Sequence, residues 1–167
     1  MRGMLAGIVL CATVAACGGS PKSSNAELGG EVATAGEQCQ LLTPADVRSI
    51  AGATVQRIER GAATGAGGTC VNFASADGRA YLGVNALRSS ADYAATVRAV
   101  PADVYPIREP LAGLGEEAVL FKNREGMRYL VARGSATGVV LFPMGDGAQM
   151  SDDQLRQLAL RALTASP

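Results

Sequence analysis

The chain has 167 residues and a mass of 17.0 kDa, enough for one domain with its own core and too little for two ordinary ones. Hydrophobic residues make up 48% and charged residues 18%, which is a globular and not a disordered balance. Fifteen basic residues offset fifteen acidic ones, so no basic surplus is present to hold nucleic acid; the absence of histidine removes imidazole bases, His-based triads and the usual catalytic zinc sites.

Residues 1–16 read as an export signal. Arg2 supplies a positive start, and Met4–Ala16 is an uncharged apolar run containing Leu5, Ile8, Val9 and Leu10. As a helix this run covers roughly 20 Å, against about 30 Å of bilayer hydrocarbon, so it is too short to span. It ends in Val14-Ala15-Ala16-Cys17. That ending resembles the bacterial lipobox, which implies that Cys17 carries a thioether-linked diacylglycerol and becomes the first mature residue. Two buried acyl chains anchor stably where one is marginal. The alternative is an ordinary secretory signal with a chance cysteine. Cys11 lies inside the apolar run and leaves with the signal. Gly18, not Asp, follows Cys17. This resembles the outer-membrane sorting pattern of a two-membrane bacterium; in other bacteria it implies only the outer face of the plasma membrane. Arginine outnumbers lysine thirteen to two, and Ala and Gly are abundant, as in GC-rich bacteria.

Residues 17–38 hold the lipidated cysteine and a polar stretch without apolar periodicity. It reads as a flexible tether of about 20 residues with a reach of roughly 25 Å. The expected folded domain is 39–167. With Cys11 removed and Cys17 acylated, Cys39 and Cys70 remain. Export places them in an oxidising compartment, so they are expected to form a disulfide. Closing a loop of about 30 residues stabilises by roughly 3–4 kcal/mol in the chain-entropy model. A redox or metal pair would need a C-x-x-C spacing or a histidine, and neither occurs.

The first helix is signalled by Thr43 as N-cap, Pro44 at N1 and Asp46 at N3. Leu42 and Val47 can staple its start, and Gly52 ends it. A strand is expected over 53–60, then a glycine-rich loop over 61–68. Thr69–Ser75 and Ala80–Leu87 read as a hairpin about Asp77-Gly78. A second helix starts at Ser89 or Ser90, with Tyr93, Val97 and Val100 on one buried stripe, and Pro101 closes it. Residues 103–115 read as a long irregular stretch with Pro106 and Pro110. Three strands follow near 117–122, 127–133 and 138–143. Val139-Val140-Leu141-Phe142 is continuous and apolar, as in a strand covered on both faces. The last helix opens on a Ser151/Gln154 capping box and buries Leu155, Leu158, Ala159, Ala162 and Leu163. The fold expected is α+β: an antiparallel sheet of about six strands packed by about three helices, with one disulfide.

Cys39-Gln40-Leu41-Leu42-Thr43-Pro44-Ala45-Asp46-Val47 resembles the opening of a family of actinobacterial lipoproteins of unknown function. Those chains carry a lipobox, a tether, a Cys-x-Leu-Leu-Thr-x-x-Asp/Glu-Val helix opening and a second Cys about thirty residues on, where Cys70 stands here. A later Gly-Leu-Gly-acidic-acidic-Ala stretch matches Gly113–Ala118. Such proteins often place an aromatic two residues after the second Cys; here Phe73 is three after it. That family has no assigned activity, so the resemblance implies fold and location only.

Candidate sites are few. The loop 61–68 lacks the Lys-Ser/Thr ending of a phosphate-binding loop and no helix follows it. Asp146, Asp152 and Asp153 fit no Ca²⁺ loop, and helix capping explains two of them. Glu116 and Glu117, adjacent on a strand, are expected to point to opposite faces and not to converge as a catalytic pair. No serine has a recognisable base partner. The remaining candidate is the stretch Tyr105, Ile107, Leu111 and Leu114, whose apolar side chains on a proline-rich loop suit a partner or a lipid-like ligand. The simpler alternative is that Ile107, Leu111 and Leu114 plug the open edge of the core. Together these features predict a membrane-anchored, non-enzymatic binding or interaction module of the cell envelope. Its partner would be an envelope protein, glycan or lipid, with no cofactor, no metal and no nucleic acid. The alternatives are a carrier of a lipid or other apolar molecule and, less favoured, an unusual hydrolase.

Overall fold

The computed structural model describes residues 41–58 and 69–165, and the side chains of all of these except 69–71. Helix α1 (Pro44–Ala51) begins where Thr43 and Pro44 predict. The Thr43 hydroxyl accepts the Asp46 N–H, and the Asp46 carboxylate accepts the Thr43 N–H at 2.8 Å, so two orphan donors are satisfied reciprocally. Gly52, at φ 72°, supplies the left-handed residue that ends the helix. Strand β1 (Val55–Ile58) falls within the expected 53–60. The export signal, Cys17, the tether, Cys39 and the loop 61–68 lie outside the described residues, as does the side chain of Cys70. The expected Cys39–Cys70 bridge therefore also lies outside them.

Strands β2 (Thr69–Ser75) and β3 (Ala80–Leu87) form the expected hairpin. Helix α2 (Ser90–Ala99) is capped by the Ser89 side chain. Within the stretch expected to be irregular, Ile107–Pro110 forms a short strand, β4, paired with β5 (Glu117–Lys122). All four β4 residues are exposed, so no alternation of apolar and polar residues marks it. Its proline is compatible with a strand only because β4 is an edge. Strands β6 (Arg128–Arg133) and β7 (Gly138–Pro143), a short 3₁₀ turn at Gly145–Gln149 and helix α3 (Asp152–Thr164) complete the order. The Ser151/Gln154 capping box is present. The sheet thus has seven strands among the described residues, not six, and all pairings are antiparallel.

The strand order is β1-β2-β3-β7-β6-β5-β4. Two meanders meet at the β3–β7 pair, and α2 carries the chain from the centre of the sheet to its far edge. Cross-strand register assigns the side chains to two layers. Leu120, Leu130, Leu141 and Val84 pair in one row across four strands, each buried to 1% exposure or less. This face carries the larger core and is covered by α1 and α3 through Val47, Leu155, Leu158, Ala159 and Ala162. The two helices are also tied by an Arg161–Asp46 ion pair at 2.9 Å and by the Gln154 side-chain amide donating to the Ile50 carbonyl.

The next row, Val119, Val131, Val140 and Asn85, points to the opposite face. Phe121, Tyr129 and Phe142 join it there, covered by α2 through Tyr93 and Val100. Val139-Val140-Leu141-Phe142 feeds both layers in alternation, which is why the run is apolar throughout. Gly83 stands opposite Phe142, and a Cβ there would fall 2.1 Å from the ring. Only glycine lets that ring lie across β3.

A candidate ligand groove beneath helix α2

The two faces are covered unequally. Helix α2 is short and rich in small residues, Ser-Ala-Asp-Tyr-Ala-Ala-Thr-Val-Arg-Ala. Tyr93, Val97 and Val100 reach the sheet as their spacing predicts. Ala95, Thr96 and Ala99 are too short to fill the space beside them. The result is an open cavity of about 510 Å³ between helix and sheet. Leu87, Val140 and Tyr129 line it from the sheet, and Val100 and Tyr105 line it beyond the end of the helix. The volume is in the range of small-molecule sites.

The aromatic side chains concentrate on this layer. Of four tyrosines and three phenylalanines, Tyr93, Tyr105, Phe121, Tyr129 and Phe142 belong to it. Tyr129 is the hub: its ring centroid is 6.2 Å from each of Tyr105, Phe121 and Phe142, stacked on Phe142 and edge-on to Phe121. Burial pushes its hydroxyl pKa up, and Tyr105 adds to the shift. Arg108 braces this region from β4, donating to the Val100 carbonyl at 2.8 Å and lying 5.2 Å over the Phe121 ring. At the other end, Asp92 accepts the Arg88 N–H at 3.1 Å. The Asn85 side-chain oxygen is buried without a hydrogen-bond partner among the described residues.

The four side chains singled out in the sequence do not converge. Tyr105 lines the groove and packs in the aromatic layer. Leu114 is buried to 3% in the larger core, and Leu111 packs against that core on the other face. Ile107 is 44% exposed on β4. The reason for Leu114 is local: Gly113 and Gly115 take φ of 74° and 69°, which turns the residue between them inward. At Gly115 a Cβ would also fall 2.3 Å from the Arg133 carbonyl, the same carbonyl that accepts the Glu116 N–H at 2.7 Å. The Gly-Leu-Gly-Glu-Glu-Ala stretch is therefore a structural turn. Glu116 and Glu117 do not diverge to opposite faces of one strand as expected: Glu116 precedes β5, and both carboxylates reach Arg133, at 2.6 and 3.5 Å.

A second hollow, of about 630 Å³, lies between the β5–β6 turn and the start of α3 and includes Ile107, Met127, Lys122 and Arg128. Of its four charged lining residues, Lys122, Arg128 and Asp152 are paired. Lys122 pairs with Glu109 at 2.8 Å and with Asp152 at 2.7 Å, and Arg128 with Asp152 at 3.0 Å. Burial pushes the Asp152 carboxyl up, but the hydrogen bonds and charges of the two cations outweigh it and leave the pKa below the ordinary aspartate value. Asp146 pairs with Arg79 at 3.2 Å. Among the described residues no group of three or more His, Cys, Asp or Glu could hold a metal ion, and no helix is long and apolar enough to cross a membrane.

Sequence reasoning missed the groove, although its floor had a signal. In Arg128–Arg133, apolar residues occupy both phases of the alternation, Tyr129 and Val131 in one and Leu130 and Ala132 in the other. A strand apolar on both faces demands a second covering layer. The only helix left for it was the one rich in alanine. No protein-family model matches the chain, and no curated protein matches it at a significant level.

Proposed function

We propose that the chain is a non-enzymatic, lipid-anchored binding module of the bacterial cell envelope, with the groove beneath α2 as its ligand site. The observation that supports the site is the cavity of about 510 Å³ on a sheet face that a single small-residue helix covers incompletely. Apolar walls with a few placed polar groups are the usual make-up of a small-molecule site. The anchor at Cys17, the extracytoplasmic location and membership of the actinobacterial-type lipoprotein family rest on residues 14–17, 39–47 and 113–118. In this reading Tyr105 contacts ligand, while Leu111 and Leu114 serve the core. This favours a small-molecule carrier or receptor over a protein-docking loop. Native mass spectrometry of the gently purified chain tests it. A co-purified small molecule that is lost in Ala95→Leu, whose longer side chain fills the groove, is the expected result. A chain that takes up no small molecule overturns it. For the anchor, a clickable palmitate analogue labels the wild type in whole cells and not Cys17→Ser; an unlabelled wild type removes that part of the proposal.

A second reading has one observation in its favour. The edge strand β4 is exposed at all four residues, and Ile107 at 44% and Met127 at 43% line the same hollow beside it. An envelope protein could dock there. A photo-crosslinker at Ile107 would then capture one envelope protein in cells, and an empty result would discard this reading.

A further inference from the structure

We infer that the groove takes a small amphipathic amine, a molecule with an apolar or aromatic body and a protonated nitrogen, and not an acyl-chain acid or a phosphate ester. The inference rests on the reading of the groove as a ligand site and adds the chemistry of its occupant. The apolar body is matched by Leu87, Val100, Val140 and the Tyr129 ring. The charge follows from what else lines the space. Asp92 contributes a carboxylate, and neither lysine nor arginine is among the lining residues. One Asp92 oxygen accepts the Arg88 N–H, and among the described residues the carboxylate has no ion-pair partner. Arg108, near the opposite end, is engaged by the Val100 carbonyl and the Phe121 ring.

Asn85 adds an independent observation. Its side-chain oxygen is buried and has no donor among the described residues, although the residue lines the groove. A buried acceptor without a donor is costly, and a ligand N–H reaching this amide supplies one. An anionic head would meet the Asp92 carboxylate with no lining cation to offset it. A cation resting against Asp92, with its body over Tyr129, has both charge complementarity and an aromatic face.

The test holds the apolar body constant and changes the charge. Tryptamine, indole and indole-3-acetate are titrated calorimetrically into the purified full processed chain, with palmitate as a fourth probe. Tryptamine is expected to bind at least tenfold more tightly than indole-3-acetate, and its affinity is expected to fall as salt rises. Asp92→Asn keeps an oxygen to accept the Arg88 N–H and should shrink the ratio below about threefold; Ala95→Leu should abolish binding of every probe. If Asp92→Asn fails to fold, the salt dependence of the wild type decides. Binding of indole-3-acetate or palmitate equal to or tighter than that of tryptamine, or a tryptamine affinity indifferent to salt, overturns the amine assignment and leaves the groove as a site. No binding by any probe, or equal binding by Ala95→Leu, overturns the groove itself.

Discussion

Replacing Gly83 with alanine puts a methyl group where the Phe142 ring lies. An ideal Cβ at this position falls 2.1, 2.2 and 2.6 Å from three carbons of the ring. Carbon atoms pack at about 3.5–4.0 Å, so the ring must shift by more than an ångström. It cannot shift freely, because it stacks on Tyr129 at 6.2 Å and an interplanar angle of 21°. Overpacking of this kind costs about 1–3 kcal/mol. Removing a glycine from a strand interior returns about 0.5–1 kcal/mol of chain entropy. The net expectation for Gly83→Ala is a loss of about 1.5 kcal/mol, or roughly 5–7 °C in Tm for a domain of this size. Circular dichroism with urea and with heat measures it. The same substitution in a Phe142→Ala background meets no ring and should be neutral or stabilising by about 0.5 kcal/mol. The two residues then show a coupling of about 2 kcal/mol in the double-mutant cycle. A Gly83→Ala variant as stable as the wild type, or one equally destabilised with and without the ring, would refute the argument that the glycine exists to seat the aromatic layer.

Other outcomes follow from the packing of the helices and from charge. Ser151→Ala removes the cap of α3 and should cost about 1 kcal/mol; Gln154→Glu keeps the cap acceptor but loses the donor to Ile50 and should cost about as much again, both read from urea midpoints, where unchanged values would contradict the assigned bonds. Asp152 has a folded-state pKa below the ordinary value near 3.8, so the unfolded chain binds its proton more tightly. Its contribution is complete above about pH 4 and fades as pH falls through the lower folded value. The side chain is 40% exposed, so Asp152→Asn should remove only about 0.5–1 kcal/mol at neutral pH, and its stability profile should be flatter between about pH 4 and 2; an identical slope would count against the Lys122–Asp152–Arg128 cluster. Non-reducing mass mapping should recover Cys39 and Cys70 in one joined peptide, and Cys39→Ser should cost roughly 3–4 kcal/mol; two free thiols would dismiss the bridge.

Much of the scaffold was legible because the signals are local. Thr43-Pro44-x-Asp46 and Ser151-x-x-Gln154 place helix starts through bonds that span three residues, and both capping boxes are present. The Asp77-Gly78 turn and the Tyr93, Val97, Val100 stripe are equally short-range, and each occurs where its residues imply. Strand β4 was not legible. An exposed edge strand carries no apolar alternation, and Ile-Arg-Glu-Pro becomes a strand only because the free edge of β5 accepts its backbone.

The candidate site divides in the same way. Among its lining residues, Tyr105 stands out in the sequence as an aromatic side chain on a proline-rich loop, but Leu111 and Leu114, six and nine residues on, belong to the other face. The chain alone established an α+β domain, with its helix boundaries and its lack of imidazole side chains, because composition and capping are properties of single residues and their neighbours. The groove was decided by tertiary structure: Asn85, Val140, Tyr129 and Tyr105 meet only through strand register, and the empty volume exists only because alanines of α2 come to lie over them. A missing side chain leaves no mark in a sequence until folding sets it opposite something large.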